Sequence, residues 1–542
     1  MKEAIDVHKV FADYFKGAEP LAYAVSRTLA DGSICLDLGS FKKSIEDNDE
    51  SWQVNPFREE AGTFDEIINN DQFITHKKNE LKPFVIQNGK IYLHRYFNYE
   101  TQIIDNIKRL GKNLKIITGG PGTGKTYSVA TELVKLLEKG KDLKIAMAAP
   151  TGKAAARMEE SIRKFTGDPD NNLTTEIKEK LNGLKAQTIH RLLGYLRNSV
   201  FFKHNEENPL PFDVVVIDEA SMIDGAMMAK LLNAIADGTL FYLIGDKDQL
   251  ASVEAGSVFG DICRAIIDDV EKVDEVEKVE KGMWTGGLVK RLLKNYRAEG
   301  KQIVTFSKKL IEGETDFILN YENNNEVVID KPVDGKFSDE LFQKEALIYK
   351  EYIETSDVKT ALQNLIRVRV LCVTREHDHS VAEANERIEK LLRKKVADPE
   401  KFSPKAGFYH NQPIIITKND YDLGLNNGDV GLVRRDKKGI LKAYFEDQDG
   451  KVKEHTAGYL NHYETVFAMT IHKSQGSEFD NVVVLLPEKQ ARKLLTRELL
   501  YTAVTRAKKK VLVQSTPESL EHCLNNVVSR ASGLTERIQQ NK

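Results

Sequence analysis

The chain has 542 residues, of which 41% are hydrophobic and 30% charged, with a formal net charge of −3. That length is too great for one hydrophobic core and predicts about three or four units, and the composition is that of a globular protein rather than a disordered or fibrous one. The near-neutral charge excludes nothing about nucleic acid, because a local basic groove can hide within it.

Cys35, Cys263, Cys372 and Cys523 are far apart and form no C-x-x-C pair. That usage suits a reducing compartment and excludes a zinc-ribbon or disulfide framework. The opening MKEAIDVHKVFADYF carries early acids, and no window approaches about 18 uninterrupted apolar residues, so neither a secretory signal nor a membrane span is predicted and the expected address is cytoplasmic.

In chain order, residues 1–100 show helical spacing of apolar residues in VHKVFADYF and FDEIINNDQFI, which predicts a mostly helical accessory domain. From 101 to 287 short apolar strands alternate with helices: LKIIT (114–118), KIAMAA (144–149), VVVID (214–218) and LFYLIGD (240–246). β-branched runs between helices indicate a parallel sheet covered on both faces. A second set, VRVLCVT (368–374), TVFAMT (465–470), NVVVLL (481–486) and KVLVQS (510–515), predicts a second α/β lobe over 288–404 and 463–542. Between its strands, residues 405–462 carry short runs broken by Asn-Asn-Gly, Lys-Lys-Gly and Asp-Gly turns, the pattern of a small antiparallel β-barrel inserted into that lobe. The fold class predicted is therefore α/β, with two similar parallel-sheet lobes, a helical N-terminal domain and a β-barrel insertion. The charged stretch 268–281 reads as a surface excursion.

Gly119, Gly120, Pro121, Gly122, Thr123, Gly124, Lys125 and Thr126 fit G-x-x-x-x-G-K-[ST] between a strand and a helix. Glycines let backbone N–H groups approach phosphate oxygens at a helix N-terminus. Lys125 is expected on the β- and γ-phosphates and the Thr126 hydroxyl on Mg²⁺. Asp218 closes an apolar strand at its carboxyl end and is expected to hold the metal; Glu219, one residue on, is the expected base for the attacking water. Gln249 either contacts a γ-phosphate or caps a loop. The guanine-reading N-K-x-D is absent, so ATP is the expected nucleotide, and Gln102 is either an adenine reader or a surface glutamine. Arg297 in KNYRAEG and Arg506 in LLYTAVTRA are either arginine fingers from the second lobe or surface ion pairs.

Hydroxyls, amides and cations on loops after strands suit a phosphodiester strand. Thr151 and Lys153, Thr188 and His190, and Thr470, His472 and Lys473 have that setting, though each also reads as a helix cap or a packed side chain. Twelve histidines without H-E-x-x-H or a cysteine cluster argue against a transition-metal site.

Taken in order, GGPGTGKT, APTGKAAARM, VIDEASMID, LIGDKDQLASVEAGSVFGDIC, NYR, NDYDLGLNNGDVG, TIHKSQGSEFD and LLYTAVTRAKK resemble the motifs of superfamily 1 helicases. The order and spacing resemble most closely the RecD family, the alpha chains of exodeoxyribonuclease V. The resemblance spans about residues 100–515 and touches the start through FADYF, LAYAVSRTL and ICLDLGS. It implies two RecA-like lobes of the P-loop type forming a motor that moves 5′ to 3′ on single-stranded DNA and unwinds duplex, with ATP and Mg²⁺ between the lobes. Thr126, Asp218, Glu219, Gln249, Arg297 and Arg506 match the family's motif positions. DNA would cross near Thr151, Lys153, Thr188, His190, Thr470, His472 and Lys473. RecB-like and RecC-like subunits are the implied partners, the nuclease belonging to the first and the N-terminal domain docking on the second. The resemblance also places a wedge hairpin at about 195–211. A free-standing RecD-like helicase and a structural ATPase subunit without translocation are the alternatives.

Overall fold

The computed structural model describes residues 5–540 apart from 60–61, 78–79, 140–141, 268–277, 282–287, 297–298, 333–336, 399, 405–406, 421, 448–449 and 489–490. Leu114–Gly119 lies inside a sheet ordered Lys278–Lys281, Leu288–Leu292, Leu114–Gly119, Leu240–Gly245, Val214–Ile217, Ile145–Ala149, Ala186–Thr188. Every neighbouring pair is parallel except the first. The unbroken apolar runs follow from burial on both sides. Ile116, Val215, Ile217 and Leu243 face a core shared with helices His94–Leu110 and Gly225–Asn233. The alternate residues Ile117, Val214, Val216 and Ile244 face helices Lys125–Glu138 and Gly152–Gly167.

The second lobe is a parallel sheet ordered Val327–Asp330, Ala507–Gln514, Phe479–Leu485, Val368–Cys372, Ala468–Thr470. The two RecA-like lobes are thus present as expected. No helix among the described residues is long and apolar enough to cross a membrane.

Several expectations are corrected. The N-terminal region contains, besides its helices, a sheet ordered Cys35–Asp37, Lys90–Leu93, Phe84–Gln87, Ile74–Thr75. Its hairpin turns through Asn88 and Gly89, with φ of 52° and 71°, the left-handed pair that such a two-residue turn requires. Helix His94–Leu110 runs across the expected boundary at 100. Leu288–Leu292 pairs with Leu114–Gly119, so the first lobe extends past 287. The inserted unit is antiparallel, in the order Val452–Thr456, Leu441–Glu446, Val430–Arg435, Gln412–Ile416, Tyr463–Thr465, around Ile414, Val433 and Phe445. No ladder among the described residues joins its outer strands. The run 465–470 divides between this sheet and the second lobe. Of the charged stretch, 268–277 lies outside the described residues, and Lys278–Lys281 forms the edge strand.

The chain's end is the largest departure. After helix Pro517–Asn525 it leaves the second lobe, and helix Leu534–Gln540 packs on helices His94–Leu110 and Val258–Ile267 of the first. Arg537, buried, donates to Glu100 Oε2 at 3.1 Å and to Thr101 Oγ1 at 2.6 Å, and lies over the Phe97 ring. Glu100 is itself fully buried and accepts from the Gly533 N–H at 2.9 Å. Removing one partner of such a pair strands the other's charge. Arg537→Met is therefore expected to cost about 3–5 kcal/mol, read as a lower urea midpoint of the full chain. Adding Glu100→Gln should recover part of the loss.

Candidate active site at the lobe seam

The strand Leu114–Gly119 delivers the glycine loop to the N-terminus of helix Lys125–Glu138. Gly122 and Gly124 hold φ of 79° and 76°, in the region where a side chain strains the backbone. At Gly119 a Cβ would meet Leu292 O and Thr123 Oγ1, both at 2.7 Å. The loop is thus both turned and packed in a way only glycine permits. Lys125 Nζ donates to Gly119 O at 2.7 Å and Gly120 O at 3.1 Å, which keeps the ammonium over the cradle.

Asp218 and Glu219 follow Val214–Ile217, whose carboxyl end abuts the loop. Thr126 Oγ1 lies 3.4 Å from Asp218 Oδ2, so a hydroxyl and a carboxylate converge on one point. Burial, then the neighbouring Glu219, pushes Asp218 up to about 6, against the pull of Lys125. Glu219 adopts φ 53°, a left-handed conformation unusual for a non-glycine residue, and its N–H donates to Asp218 Oδ1 at 2.8 Å. Such strain costs about 1–3 kcal/mol and persists where surrounding structure enforces it. Here it turns Glu219 away from the strand direction into the cleft.

Gln249 is buried, and its Nε2 donates to Asp246 Oδ2 at 3.1 Å. Its Oε1 is buried with no protein partner. The same Asp246 Oδ2 accepts from the Tyr501 hydroxyl at 3.0 Å, and Tyr501 belongs to helix Arg497–Val504 of the second lobe. Burial pushes Asp246 up to about 6, with Lys125 opposing and Asp248 adding. Next to it, the Leu250 N–H donates to Thr502 Oγ1 and Leu250 O accepts from Gln475 Nε2, each at 3.0 Å. Arg157 of the first lobe pairs with Glu478 of the second at 2.8 Å.

Arg506 follows the helix of Tyr501 and is 2% exposed. Its Nε donates to Thr502 O at 3.1 Å and its Nη1 to Ser477 O at 3.2 Å, which orient the fork. A cleft of about 380 Å³ is lined by Lys125, Thr126, Asp218, Glu219 and Gln249 from one lobe and by Glu478 and Arg506 from the other. Arg506 is therefore no surface ion pair. Arg297 lies outside the described residues; its neighbours Asn295 and Tyr296 bond the glycine loop at Pro121 O (2.7 Å) and Gly122 O (2.9 Å).

Gln102 is not brought to this cleft. It sits on the far face of the sheet, where its Oε1 accepts from Asn233 at 3.2 Å, in a separate hollow with Arg109 and Asp237. The adenine-reader expectation is corrected accordingly. Tyr127 and Tyr296 instead flank Gly124, with a Cβ there 3.8 and 3.7 Å from them. These two aromatics, with Asp246, Gln475, Tyr501 and Thr502, were missed by sequence reasoning. All except Tyr127 stand inside the motif strings already quoted, but nothing in the strings says what pairs with what.

The expected strand-contacting residues collect at the carboxyl edges of both sheets. Thr151 caps helix Gly152–Gly167, and the backbone at Gly476 of the second lobe lies against it, 4.0 Å from a Cβ there to Thr151 Oγ1. Burial, with Arg369 and Arg157, pushes the Lys153 ammonium down to about 8, against Asp429 of the inserted sheet. Thr470 Oγ1 accepts from the Lys473 N–H, and Lys473 Nζ meets Glu464 at 3.2 Å. His472 is lowered by burial and by Arg530. Thr188 caps helix Ile189–Leu193, and His190 stands edge-on to Phe202 at 5.7 Å. Beyond them Tyr195 and Phe202 form an antiparallel bridge, and the turn between them leaves Val200 72% and Phe201 73% exposed.

The family of AAA domains matches residues 102–255, and the UvrD-like helicase C-terminal domain matches 465–513. The RecBCD enzyme subunit RecD of Mycobacterium tuberculosis is 34% identical over 96% of this chain and 91% of its own length. The same subunit of Mycolicibacterium smegmatis is 33% identical, over 99% and 97%. This chain belongs to the RecD family. It is an ATP-dependent helicase of superfamily 1, its two lobes the family's motor. The ATP-dependent RecD2 DNA helicase of Deinococcus radiodurans is 29% identical over 76% of this RecD-family chain but only 47% of its own length.

Arg506→Ala is expected to lower the kcat of ATP hydrolysis by about 10³ or more, with a much smaller change in KM. Arg506→Lys should not rescue it, since a point charge cannot replace the fork. Steady-state phosphate release checks both, with binding of a fluorescent ATP analogue confirming an intact cleft.

Proposed function

We propose that this chain uses ATP and Mg²⁺ to move 5′ to 3′ along single-stranded DNA and unwind the duplex ahead, as the RecD-type subunit of a cytoplasmic exodeoxyribonuclease V heterotrimer with RecB-like and RecC-like subunits. Its role there is double-strand-break repair and recombination. The observation that carries the reading is the shared cleft: Lys125 from one lobe and Arg506 from the other line the same space.

The residues present fit a triphosphate and its metal. The glycine loop is turned for phosphate, the Gln249 Oε1 is orphaned at the cleft, and Thr126 and Asp218 converge from two elements. Lys125 and the loop amides would hold the phosphates, and Thr126 and Asp218 would hold a Mg²⁺, which would supply neutralisation of phosphate charge. Glu219 orients the attacking water and accepts its proton, while Gln249 reports on the γ-position. Arg506 meets charge developing on the transferred group. Tyr127 and Tyr296 flank the place where a base leaves the loop.

Hydrolysis changes what Gln249 and Arg506 touch. Through Asp246, Leu250 and Gln475 that change reaches Thr470, His472 and Lys473, so the lobes alternate their grip on the strand. Thr151, Lys153, Thr188 and His190 form the first lobe's side of the path. The apolar turn at Val200 and Phe201, secured by Lys230 Nζ on Val200 O at 2.9 Å, serves as the wedge. Ile5, Val7, Val10 and Tyr14, all exposed at the N-terminal helix, supply a face for a RecC-like partner.

Strand displacement on a 5′-tailed duplex is expected with ATP, absent on a 3′ tail and absent for Lys125→Gln. Activity confined to 3′ tails would reverse the direction assigned. Single-strand binding should weaken with salt at a log–log slope of about −0.7 per phosphate neutralised; a flat response would remove the proposed groove. Co-purification with RecB-like and RecC-like chains checks the assembly, and a monomer fully active without them would favour the free-standing alternative.

A further inference from the structure

Residues 526–540 join three bodies at one point. On the second lobe, Arg497 N–H donates to Asn526 O at 2.8 Å and Val528 N–H to Glu498 Oε2 at 2.9 Å, both on the helix that ends before Arg506. On the N-terminal domain, Ile34 N–H donates to Ala531 O at 2.9 Å and Ala531 N–H to Ser33 Oγ at 3.1 Å. Between them Arg530 Nη1 donates to three carbonyls of the first lobe, Ser252 O at 2.6 Å, Glu254 O at 3.1 Å and Gly256 O at 3.1 Å. The loop 252–256 directly follows Gln249 and Leu250.

Each side of this junction is sterically closed. Gly32, at φ 90°, lies under the guanidinium, and a Cβ there would come 2.9 Å from Arg530 Cζ. Gly256, at φ 111°, donates its N–H to Gly32 O at 2.9 Å, and a Cβ there would meet Ile34 Cδ1 at 2.9 Å. The loop proposed to face DNA meets the same segment, Gln475 Nε2 donating to Leu250 O at 3.0 Å, and Arg530 adds to burial in lowering the proton affinity of His472 on that loop. No carboxylate forms an ion pair with Arg530 among the bonds described; its hydrogen bonds go to backbone oxygens that set a loop's shape.

We propose that Arg530 is a positioning residue for ATP hydrolysis: it fixes the 252–256 loop, and so Gln249, against the His472 loop and the N-terminal domain, coupling strand occupancy to the rate. The inference rests on the helicase reading above. Ser252 Oγ also donates to Glu254 O at 2.9 Å and Gly256 O at 3.2 Å, so the loop keeps a local bond of its own; what the Arg530 guanidinium adds is the tie from that loop to the 526–540 segment, made by its Nη1 alone.

The test measures ATP hydrolysis by the full chain, with and without single-stranded oligo-dT, for wild type, Arg530→Ala, Arg530→Lys and Gly32→Ala. Misfolded protein lowers both rates together and leaves their ratio unchanged, so the ratio separates positioning from general damage. Arg530→Ala is expected to reduce the DNA-stimulated to basal ratio by about fivefold or more, with KM for ATP within about twofold. Arg530→Lys should recover only part, and Gly32→Ala, remote from the cleft, should shift the ratio the same way. A ratio within about twofold of wild type in Arg530→Ala overturns the proposal. If that variant does not fold, Gly32→Ala decides by the same criterion. Absence of DNA stimulation in wild type, alone or with partner subunits, would instead remove the helicase reading.

Discussion

One carboxylate oxygen, Asp246 Oδ2, accepts hydrogen bonds from Gln249 of its own lobe and Tyr501 of the other. Around it the Leu250 backbone is held from the second lobe at both its N–H and its carbonyl. These bonds cross the seam at the depth of the glycine loop, where water is excluded and each is worth more than at a surface. With the Arg157–Glu478 pair beside them, they fix where Arg506 stands relative to Lys125. Because they run through residues adjacent to Gln249, the relation between lobes responds to what occupies the cleft.

The same seam explains why acids here sit far above the usual carboxylate range. Asp246 is buried and Asp218 half-buried, and each has a second acid nearby, so desolvation and like charge act together. Lys125 opposes both shifts. The cleft sets Asp218 and Glu219 beside Lys125, Arg157 and Arg506, acids for a cation and cations for phosphate, which is the electrostatic condition for accepting Mg²⁺ with a triphosphate. The strained backbone of Glu219 belongs to the same economy of position: it separates the two adjacent carboxylates, one toward Thr126 and one toward the cleft.

The RecD-family motor is also less separable into domains than its motifs suggest. The C-terminal segment leaves the second lobe, fastens to the N-terminal sheet and buries Arg537 against Glu100 of the first lobe's leading helix. Lys90 and Glu536 add a pair at 2.6 Å on its surface. The N-terminal domain is therefore mechanically continuous with the loop after Gln249.

Much of the chemistry was legible in the chain itself. The glycine loop, the acids after VVVI and the arginine after LLYTAVT are local patterns, in which residue type and spacing fix backbone approach, strand end and helix end. Both parallel sheets were legible for the same reason, since strands buried on two faces must be apolar throughout. The Asn88-Gly89 turn carried a readable hairpin signal, passed over amid helical spacing. What only the tertiary structure decided is pairing across long separations: Asp246 with Tyr501, Arg157 with Glu478, Arg530 with the carbonyls of 252–256, and Gln102 with Asn233. Periodicity reports which face of an element is buried, never against what; a hydrogen bond between residues hundreds of positions apart leaves no spacing to read.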